Sequence, residues 1–314
     1  MPDATSSTSV TGIITEDPAL NMPAGSELHF NPALITGEFE SPIVRLENWG
    51  SFQGILLLVH LNLANSHSVD GSAVLVAPGI ALSAKHIFED SLNHIKNGGK
   101  STMCSAITTD GLQLWRISKI TLVGNSDLVI LGLTYCSKLP QGNLFNLATI
   151  TTRFPKIGEK LLLTGFRASD YNFGIADNER GDKVINFSGL VLASNGPVSN
   201  RFPTGRDTCM LPWPTLEVDC PSFGGMSGGP VFDSTGLLVG LLSSSFDEGP
   251  SYVSLLWPAL VAEFEGGWPN SMFKNKSTLV GLTPPLCAID RPSAISLNQN
   301  QDNSSSLTYE IWEE

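Results

Sequence analysis

The sequence contains no cysteine pattern that would build a metal site or a disulfide framework. Its five cysteines are odd in number and widely spaced, and no two of them form a C-x-x-C pair. This distribution disfavours zinc binding and a disulfide-rich scaffold, so we expect buried, reduced thiols, no metal and no other cofactor. The cysteines are Cys104, Cys136, Cys209, Cys220 and Cys287.

Long apolar runs and an excess of positive charge are also missing. The longest apolar stretch, residues 55–64, is too short and too interrupted to cross a bilayer. The chain has 18 Lys and Arg against 30 Asp and Glu, a net charge of −12, and therefore lacks the basic patch that binds a phosphate backbone. We expect neither a nucleic acid nor a membrane partner, and we interpret the acidic balance as favouring solubility.

The first residues also lack the features of a secretory signal. Residues 1–5 carry neither a basic segment nor the start of an apolar core. Together with the absence of a disulfide pattern, this favours a reducing, cytoplasmic location.

Long stretches with helical periodicity are absent, and short apolar runs take their place. From about Ser51 these runs are separated by Gly, Pro, Asn and Asp, a pattern typical of all-β barrels. Only residues 257–264 indicate a helix, and it is short. The length of 314 residues allows one large β domain or two smaller ones. The predicted strands cover residues 54–63, 72–76, 80–83, 111–117, 128–133, 159–165, 189–194, 230–232 and 237–242.

One six-residue segment carries more chemical information than the rest of the chain. Residues 225–230 read Gly-Met-Ser-Gly-Gly-Pro, which places Ser227 among three glycines. Glycine leaves backbone N–H groups uncovered, and a nucleophilic serine needs such donors for the oxyanion of an acyl-transfer intermediate. Chance would produce this pattern in roughly a few per thousand chains of this length. A simple Gly/Ser turn is the alternative interpretation, so the partners of Ser227 must decide.

A serine nucleophile requires a base, usually a histidine that a carboxylate orients. All five histidines precede Ser227, which excludes the α/β-hydrolase order, in which the histidine follows the serine. His86 ends a predicted hairpin, residues 71–85, and is our candidate base. The other histidines fit less well. His60 lies in an apolar run, His29 and His67 lie in polar irregular segments, and His94 lies in a predicted short helix or loop.

Asp127 is the candidate carboxylate. It opens a run that is apolar on both faces, residues 128–133, where a carboxylate would be costly unless an N–H group such as that of an imidazole bonded to it. Residues 125–127 also read as a turn, which is the alternative role for Asp127. Asp110 and Asp70 lie in turn-like Asp-Gly contexts and are weaker candidates, so the orders His-Asp-Ser and Asp-His-Ser both stay open.

These segments together resemble the trypsin-like, chymotrypsin-fold serine peptidases, especially bacterial members without disulfides. Ser-Ala-Lys-His at residues 83–86 is similar to the family's histidine motif, and Asp-Leu-Val-Ile-Leu at 127–131 to its aspartate motif. Residues 225–230 match its nucleophile motif except at Met226. Residues 155–166 resemble the segment that opens the second barrel, and the resemblance extends over about residues 51–264.

The resemblance implies an all-β fold of two six-stranded antiparallel β-barrels with a short C-terminal helix. The first barrel would occupy residues 46–145 and carry His86 and Asp127, and the second would occupy 146–268 and carry Ser227. An irregular N-terminal arm, residues 1–45, and a polar C-terminal extension, residues 269–314, would flank the barrels. The active site would then lie in the cleft between them.

The resemblance also implies the chemistry of the site. His86 would take the Ser227 proton and later protonate the leaving amine, while Asp127 holds the imidazole in the productive tautomer. The backbone N–H groups of Gly225 and Ser227 would form the oxyanion hole. Ser243 would donate a hydrogen bond to the aspartate, and Ser243, Ser244 and Ser245 would pair with the substrate main chain as an added strand.

Two positions depart from the pattern of the family or bear on specificity. Met226 replaces an aspartate that, in many extracellular members, pairs with an N-terminal ammonium freed by cleavage, so we expect a site that forms without such activation. By the same resemblance, Pro221, followed by Ser222, would occupy the floor position of the specificity pocket, and it supplies no acid. We therefore expect a small or apolar side chain on the acyl side of the cleaved bond.

The leading hypothesis is a serine endopeptidase that acts on a protein or peptide substrate. The rival is a catalytically silent member of the family that works as a protein-binding or regulatory module. Either extension, N-terminal or C-terminal, could receive a regulatory partner. A glycine-rich β protein with a coincidental serine and histidine is the third interpretation.

Overall fold

Strands dominate the computed structural model, which describes residues 8–35, 43–44, 52–63, 66–89, 92, 101–167, 172–245, 249–282, 284, 286–299 and 305–312. The strands are β1 Thr8–Ile13, β2 His29–Ala33, β3 Ile43–Val44, β4 Leu56–Leu63, β5 Ser66–Ala77, β6 Ile80–Ala84, β7 Ser101–Thr108, β8 Gly111–Leu122, β9 Leu128–Tyr135, β10 Leu144–Ala148, β11 Ile150–Thr151, β12 Lys160–Phe166, β13 Asn172–Asp177, β14 Lys183–Gly189, β15 Val191–Phe202, β16 Thr215–Val218, β17 Pro230–Phe232, β18 Leu238–Ser245, β19 Ser251–Leu255, β20 Ile289–Asp290, β21 Ile295–Gln299 and β22 Ser305–Tyr309. The helices are α1 His86–Glu89 and α2 Trp257–Val261, with 3-10 turns at Pro18–Asn21, Gln141–Asn143, Asn270–Met272, Leu279–Gly281 and Pro292–Ala294.

The first barrel closes in the order β4-β5-β6-β9-β8-β7. Its neighbouring strands are antiparallel, and short connections join β5 to β6 and β7 to β8. Successive residues of β4 alternate between two apolar clusters: Leu57 and Val59 belong to one, Leu56 and Leu58 to the other. Since strand side chains point alternately to opposite faces, both faces of this barrel wall are buried, which explains its nearly continuous apolar sequence.

The second barrel closes in the order β17-β12-β15-β16-β19-β18, because β17 also pairs with β18. All of these pairings are antiparallel. Helix α2 follows β19 and buries Trp257 and Leu260. The predicted fold of two six-stranded antiparallel barrels with a short C-terminal helix is therefore confirmed.

Several strands of the barrels were not among the predicted ones. Strand β7 reads Ser-Thr-Met-Cys-Ser-Ala-Ile-Thr, a small and polar sequence that pairs with β4 and β8. Strands β16 and β19 pair with each other and are also new. Strand propensity reflects packing context more than intrinsic preference, which is why pattern alone did not find these strands.

The N-terminal arm, expected to be irregular, contains strands. Strand β1 pairs antiparallel with β14, and β14 pairs with β13, so that the arm completes a three-stranded sheet. Strand β2 pairs parallel with β10. Because these partners are distant in the sequence, a local pattern could not predict the pairings.

The C-terminal extension forms a hairpin, β21 paired antiparallel with β22. The predicted helix at residues 257–264 ends at Val261, and Phe264 instead forms an isolated bridge with Ser277. None of the helices in the described part of the chain is long and apolar enough to cross a membrane.

Candidate active site

Strand pairing brings the candidate base and carboxylate together. Strand β6 ends at Ala84, which pairs with Leu128 at the start of β9, so the residues just beyond these two strand ends are neighbours. The Lys85 N–H donates to the Asp127 carbonyl at 3.1 Å, and the His86 N–H donates to Asp127 Oδ1 at 3.0 Å. The imidazole Nδ1 lies 2.8 Å from Asp127 Oδ2 and 3.1 Å from Oδ1.

The Asp127 carboxylate is buried and fully provided with donors. It is 8% exposed, and besides the two groups of His86 it accepts a hydrogen bond from Ser243 Oγ at 2.5 Å. A buried carboxylate is costly unless such bonds compensate for lost water. Ser243 lies on β18 of the second barrel, so this bond joins the two barrels at the candidate site.

One nitrogen of the His86 imidazole is hydrogen-bonded, while the rest of the ring is partly exposed to solvent. The imidazole is 42% exposed, although Nδ1 is bonded to Asp127. Partial burial lowers the pKa of His86, but the hydrogen bond to Asp127 and the negative charges of Asp127 and Glu89 raise it by more, so the pKa lies above its ordinary value. The bond at Nδ1 fixes the ring orientation and leaves Nε2 as the nitrogen available to a substrate or a hydroxyl.

Two turns shape the loop that carries Ser227. The Met226 N–H donates to the Phe223 carbonyl at 3.0 Å, and Gly225, the third residue of that turn, has a φ of 95°. A positive φ at this position defines a type II turn, which favours glycine. Gly228 has a φ of 75°, and a Cβ there would lie 2.3 Å from the Ser72 carbonyl oxygen, so no larger residue fits.

Ser72, on β5 of the first barrel, ties down this loop. Its Oγ donates to the Gly225 carbonyl at 2.9 Å and accepts from the Phe166 N–H at 2.9 Å. Its own N–H donates to the Ser227 carbonyl at 2.8 Å. The sequence analysis gave Ser72 no role, because a serine inside a strand carries no motif.

Met226 anchors the loop that carries Ser227 by inserting its side chain into the apolar core. Its side chain is fully buried in the larger apolar cluster. The loop also packs closely on β12, since a Cβ on Gly165 would lie 2.7 Å from the Met226 Cα. An apolar residue therefore occupies the position directly before the candidate nucleophile.

His86, Asp127 and Ser227 line a single cleft of about 710 Å³. Ser222 and Ser243–Ser245 also line it. Within the described residues no hydrogen bond joins His86 to the Ser227 hydroxyl, and none engages the N–H groups of Gly225 or Ser227. Among the described residues, the N–H groups of these two candidate oxyanion donors thus have no acceptor within the protein beside the candidate nucleophile.

Pro221 does not line the cleft. It is exposed on the surface, while Ser222 reaches the cleft and its carbonyl accepts from Ser245 Oγ at 3.5 Å. One side of the cleft is formed by a segment that the sequence analysis missed, the β15–β16 connection. Its residues Arg206 and Trp213 line the cleft. This connection contains no recognisable motif, so no sequence signal would have found it.

Tyr252 of β19 closes the cleft beside the candidate substrate strand. It is the cross-strand partner of Ser244. The Arg206 guanidinium lies 4.5 Å from the centroid of the Tyr252 ring, and the Tyr252 hydroxyl donates to Glu217 Oε2 at 3.0 Å. Arg206 is itself paired with Asp207 at 2.9 Å, so the positive charge over the Tyr252 ring is compensated locally.

Among the described residues, no group of three or more His, Cys, Asp or Glu side chains is arranged to hold a metal ion. The five cysteines are all free, four of them buried and Cys209 exposed. The polar side chains that line the cleft include the His86 imidazole, the Asp127 and Glu89 carboxylates, the Lys85 ammonium, the Arg206 guanidinium and several serine hydroxyls.

A double barrel with a histidine, an aspartate and a serine on one cleft is the architecture of a serine peptidase domain. Residues 71–241 match the family model described as "Trypsin-like peptidase domain", which is more than half of the chain, and the protein belongs to this family. No curated protein matches the sequence.

Solved structures similar to the chain include two proteases and Deg5. The Rv3671c protease from M. tuberculosis in its active form is 12% identical, with 71% of this chain and 89% of that chain covered and a TM-score of 0.47. The MamO protease domain from Magnetospirillum magneticum is 13% identical, with 66% and 95% covered and a TM-score of 0.45. Deg5 is 16% identical, with 66% and 90% covered and a TM-score of 0.44.

Proposed function

We propose that this protein is a serine endopeptidase that hydrolyses peptide bonds through Ser227, His86 and Asp127. The observation that supports the proposal best is the hydrogen-bond chain from Ser243 through Asp127 to His86 Nδ1, at 2.5 and 2.8 Å. This chain holds the imidazole on the cleft that Ser227 also lines. Membership of a peptidase family supports a protein or peptide substrate.

In the proposed reaction, Ser227 Oγ attacks the carbonyl carbon of the scissile bond while His86 Nε2 takes its proton. Asp127 stabilises the resulting imidazolium by accepting from Nδ1–H. The Gly225 and Ser227 N–H groups bind the oxyanion. His86 then protonates the leaving amine as the C–N bond breaks, which leaves the acyl group on Ser227. In the second half, a water attacks the acyl carbonyl while His86 takes its proton, and His86 then protonates Ser227 Oγ as the acid product leaves.

The missing hydrogen bond between Ser227 and His86 is compatible with this mechanism. In substrate-free enzymes catalytic hydrogen bonds are often long or poorly aligned and tighten only in the substrate complex. The proposal therefore requires the two side chains to come together when a substrate fills the cleft.

We further propose that the site is competent without proteolytic activation. The buried Met226 side chain supports this, because it holds the nucleophile loop by apolar contact and offers no carboxylate to a new N-terminus. N-terminal sequencing of active protein tests the point. A requirement for cleavage that creates a buried ammonium would contradict it.

A small or apolar residue is proposed on the acyl side of the cleaved bond. Tyr252, covered by Arg206, occupies space beside Ser244, and the Glu217 carboxylate accepts a hydrogen bond from the Tyr252 hydroxyl. Among the described residues that line the cleft, the acids are Asp127, which accepts from His86 and Ser243, and Glu89, which pairs with Lys85. Neither acid is thus left unpaired to attract a lysine or arginine. Profiling with a peptide library tests this, and a strong Lys or Arg preference would refute it.

Labelling with a fluorophosphonate tests the function itself. We expect the wild type to be labelled, and Ser227→Ala and His86→Ala to lose labelling while keeping the folded circular-dichroism spectrum. Labelling that survives Ser227→Ala would remove the assignment. A folded wild type that is never labelled would favour the alternative, a catalytically silent protein-binding or regulatory module. The missing Ser227–His86 hydrogen bond would then explain why the serine is not reactive.

A cytoplasmic location is part of the same proposal. Five free cysteines, four of them buried, suit a reducing compartment. Fractionation of the source cells with detection of the native protein would test this.

A further inference from the structure

The β15–β16 connection, residues 203–214, forms one wall of the cleft and is called the cleft wall below. Six of its residues line the cleft, and they are largely apolar: Arg206, Cys209, Met210, Leu211, Pro212 and Trp213. Met210 is 70% exposed, so this apolar surface is open to whatever enters the cleft. A substrate longer than the residue at the cleaved bond would meet it.

The cleft wall is a compact unit because Asp207 organises it. Asp207 Oδ1 accepts from the N–H groups of Cys209, Met210 and Leu211 at 2.9, 2.5 and 3.3 Å. The Arg206 N–H donates to the Leu211 carbonyl at 2.8 Å. We expect such a segment to move as one body, so the contacts that hold it decide its position: Arg206 in its middle lies over Tyr252 of β19, and each of its two ends has a further contact.

The C-terminal side of the cleft wall is held by the second barrel. Trp213 Nε1 donates to Ser254 Oγ at 2.7 Å, and the Leu255 N–H donates to the Pro214 carbonyl at 3.0 Å. Both partners lie on β19. This end needs nothing from the C-terminal extension.

The N-terminal side of the cleft wall is held by the C-terminal extension. The Tyr309 hydroxyl, at the end of β22, donates to the Pro203 carbonyl. The Tyr309 ring packs on Trp257 of α2, with centroids 4.1 Å apart, which fixes the direction of the hydroxyl. Gly205, two residues beyond Pro203, has a φ of 113°, a conformation that favours glycine, so the tether lies next to a bend in the backbone.

The extension is itself anchored on the barrel body. Trp312 Nε1 donates to Thr152 Oγ1 at 2.9 Å, and the Trp312 carbonyl accepts from the Phe154 N–H at 3.1 Å. Arg291 lies over the Trp312 ring at 4.3 Å. Trp312 thus anchors the chain after Tyr309, and the pairing of β20 with β11 anchors the extension before it, which makes Tyr309 a fixed point for the cleft wall.

We propose that the C-terminal extension positions the cleft wall for substrate, with Tyr309 as the positioning residue. The proposal rests on the proposed peptidase function. Tyr309 touches neither the substrate nor the reacting groups, and it acts through Pro203 and the segment that follows. Its loss should therefore weaken binding of long substrates and leave the chemistry at Ser227 unchanged.

Tyr309→Phe tests this, because it removes the hydroxyl and keeps the ring on Trp257. The matched control is Tyr135→Phe, which removes a hydroxyl that donates to the Lys138 carbonyl at 2.8 Å in the first barrel. We expect Tyr309→Phe to raise KM about two- to tenfold, the range that one hydrogen bond supports. This holds for a peptide that extends several residues before the cleaved bond; kcat and the fluorophosphonate labelling rate should stay unchanged. Tyr135→Phe should leave all three quantities unchanged.

Hydrogen exchange provides a readout that does not depend on activity. The N–H groups of Arg206 and Leu211, both bonded within the cleft wall, should exchange about two- to tenfold faster in Tyr309→Phe and at the wild-type rate in Tyr135→Phe. Unchanged exchange, or faster exchange without a rise in KM, would overturn the proposal. Wild-type protein that is never labelled would instead refute the peptidase function, and the exchange rates would still decide whether Tyr309 holds the wall.

Discussion

Replacing Ser72 with alanine removes a support of the nucleophile loop without touching any reacting atom. The side chain is completely buried, and its Oγ bridges the Gly225 carbonyl and the Phe166 N–H at 2.9 Å each. The backbone bond from Ser72 to the Ser227 carbonyl does not involve the side chain and survives the change. Ser72→Ala therefore loosens one side of the loop, the side on which the proposed oxyanion donor of Gly225 lies.

The expected loss of stability follows from the two bonds. A buried group that loses its partner costs about 1–3 kcal/mol, and the Phe166 N–H is such a group. Gly225 is only partly buried, so water can compensate for part of the loss at its carbonyl. Ser72→Ala should therefore lower the free energy of unfolding by about 2–4 kcal/mol. It should also lower kcat by about tenfold, less than the 10²–10³-fold that complete loss of an oxyanion donor costs.

Ser194→Ala is the matched control. Ser194 is a serine of β15 that is equally buried, yet within the described residues its Oγ has no hydrogen-bond partner. Removing a buried hydroxyl without a partner should leave stability unchanged or raise it slightly. Urea unfolding at constant m-value and steady-state hydrolysis of one peptide provide the two measurements. Equal effects of the two substitutions would refute the view that Ser72 supports the loop.

Three further predictions concern the groups around His86 and the thiols. Ser243→Ala removes a donor to Asp127 and should lower kcat about two- to tenfold with KM unchanged; steady-state kinetics with an unchanged kcat would contradict this. A general base must be neutral, and the pKa of His86 is raised. The acidic limb of the kcat/KM profile should therefore have its midpoint above the ordinary pKa of histidine. NMR titration of the His86 imidazole in Ser227→Ala should give the same pKa. The stabilisation of the folded state by the imidazolium is present below the unfolded-state pKa and is lost as pH rises through the folded-state pKa. In native protein only Cys209 should react with a thiol reagent, and denaturant should release four more thiols, because burial raises their pKa values: Cys104, Cys136, Cys220 and Cys287.

The sequence was most informative where chemistry and local backbone shape coincide. The glycines around Ser227 and the strand that begins after Asp127 are local features, and both could be predicted from a few consecutive residues. The pairing of β6 with β9 then follows from the fold, and it puts His86 beside Asp127. The barrels were predictable for the same reason, since most of their strands are continuous apolar runs.

Contacts between distant segments could not be predicted. Ser72 and Gly225 are 153 positions apart in the sequence, and Tyr309 and Pro203 are 106 apart. Neither pair belongs to a motif, and each depends on how two barrels or a terminal segment pack. Pro221 was suggested by its position alone, and it is not among the described residues that line the cleft, whereas Tyr252 and the cleft wall are; which residues select the substrate stays a prediction.

The two barrels support each other's part of the candidate site. Ser72, in the first barrel, bonds to the loop that carries Ser227, and Ser243, in the second barrel, bonds to Asp127. Each barrel therefore lacks one support of its own functional residue and receives it from its neighbour. Since both bonds cross the same interface, a shift of one barrel against the other would disturb the carboxylate and the nucleophile loop together. The geometry of the site is for this reason a property of the packed pair, and neither barrel alone would be expected to reproduce it.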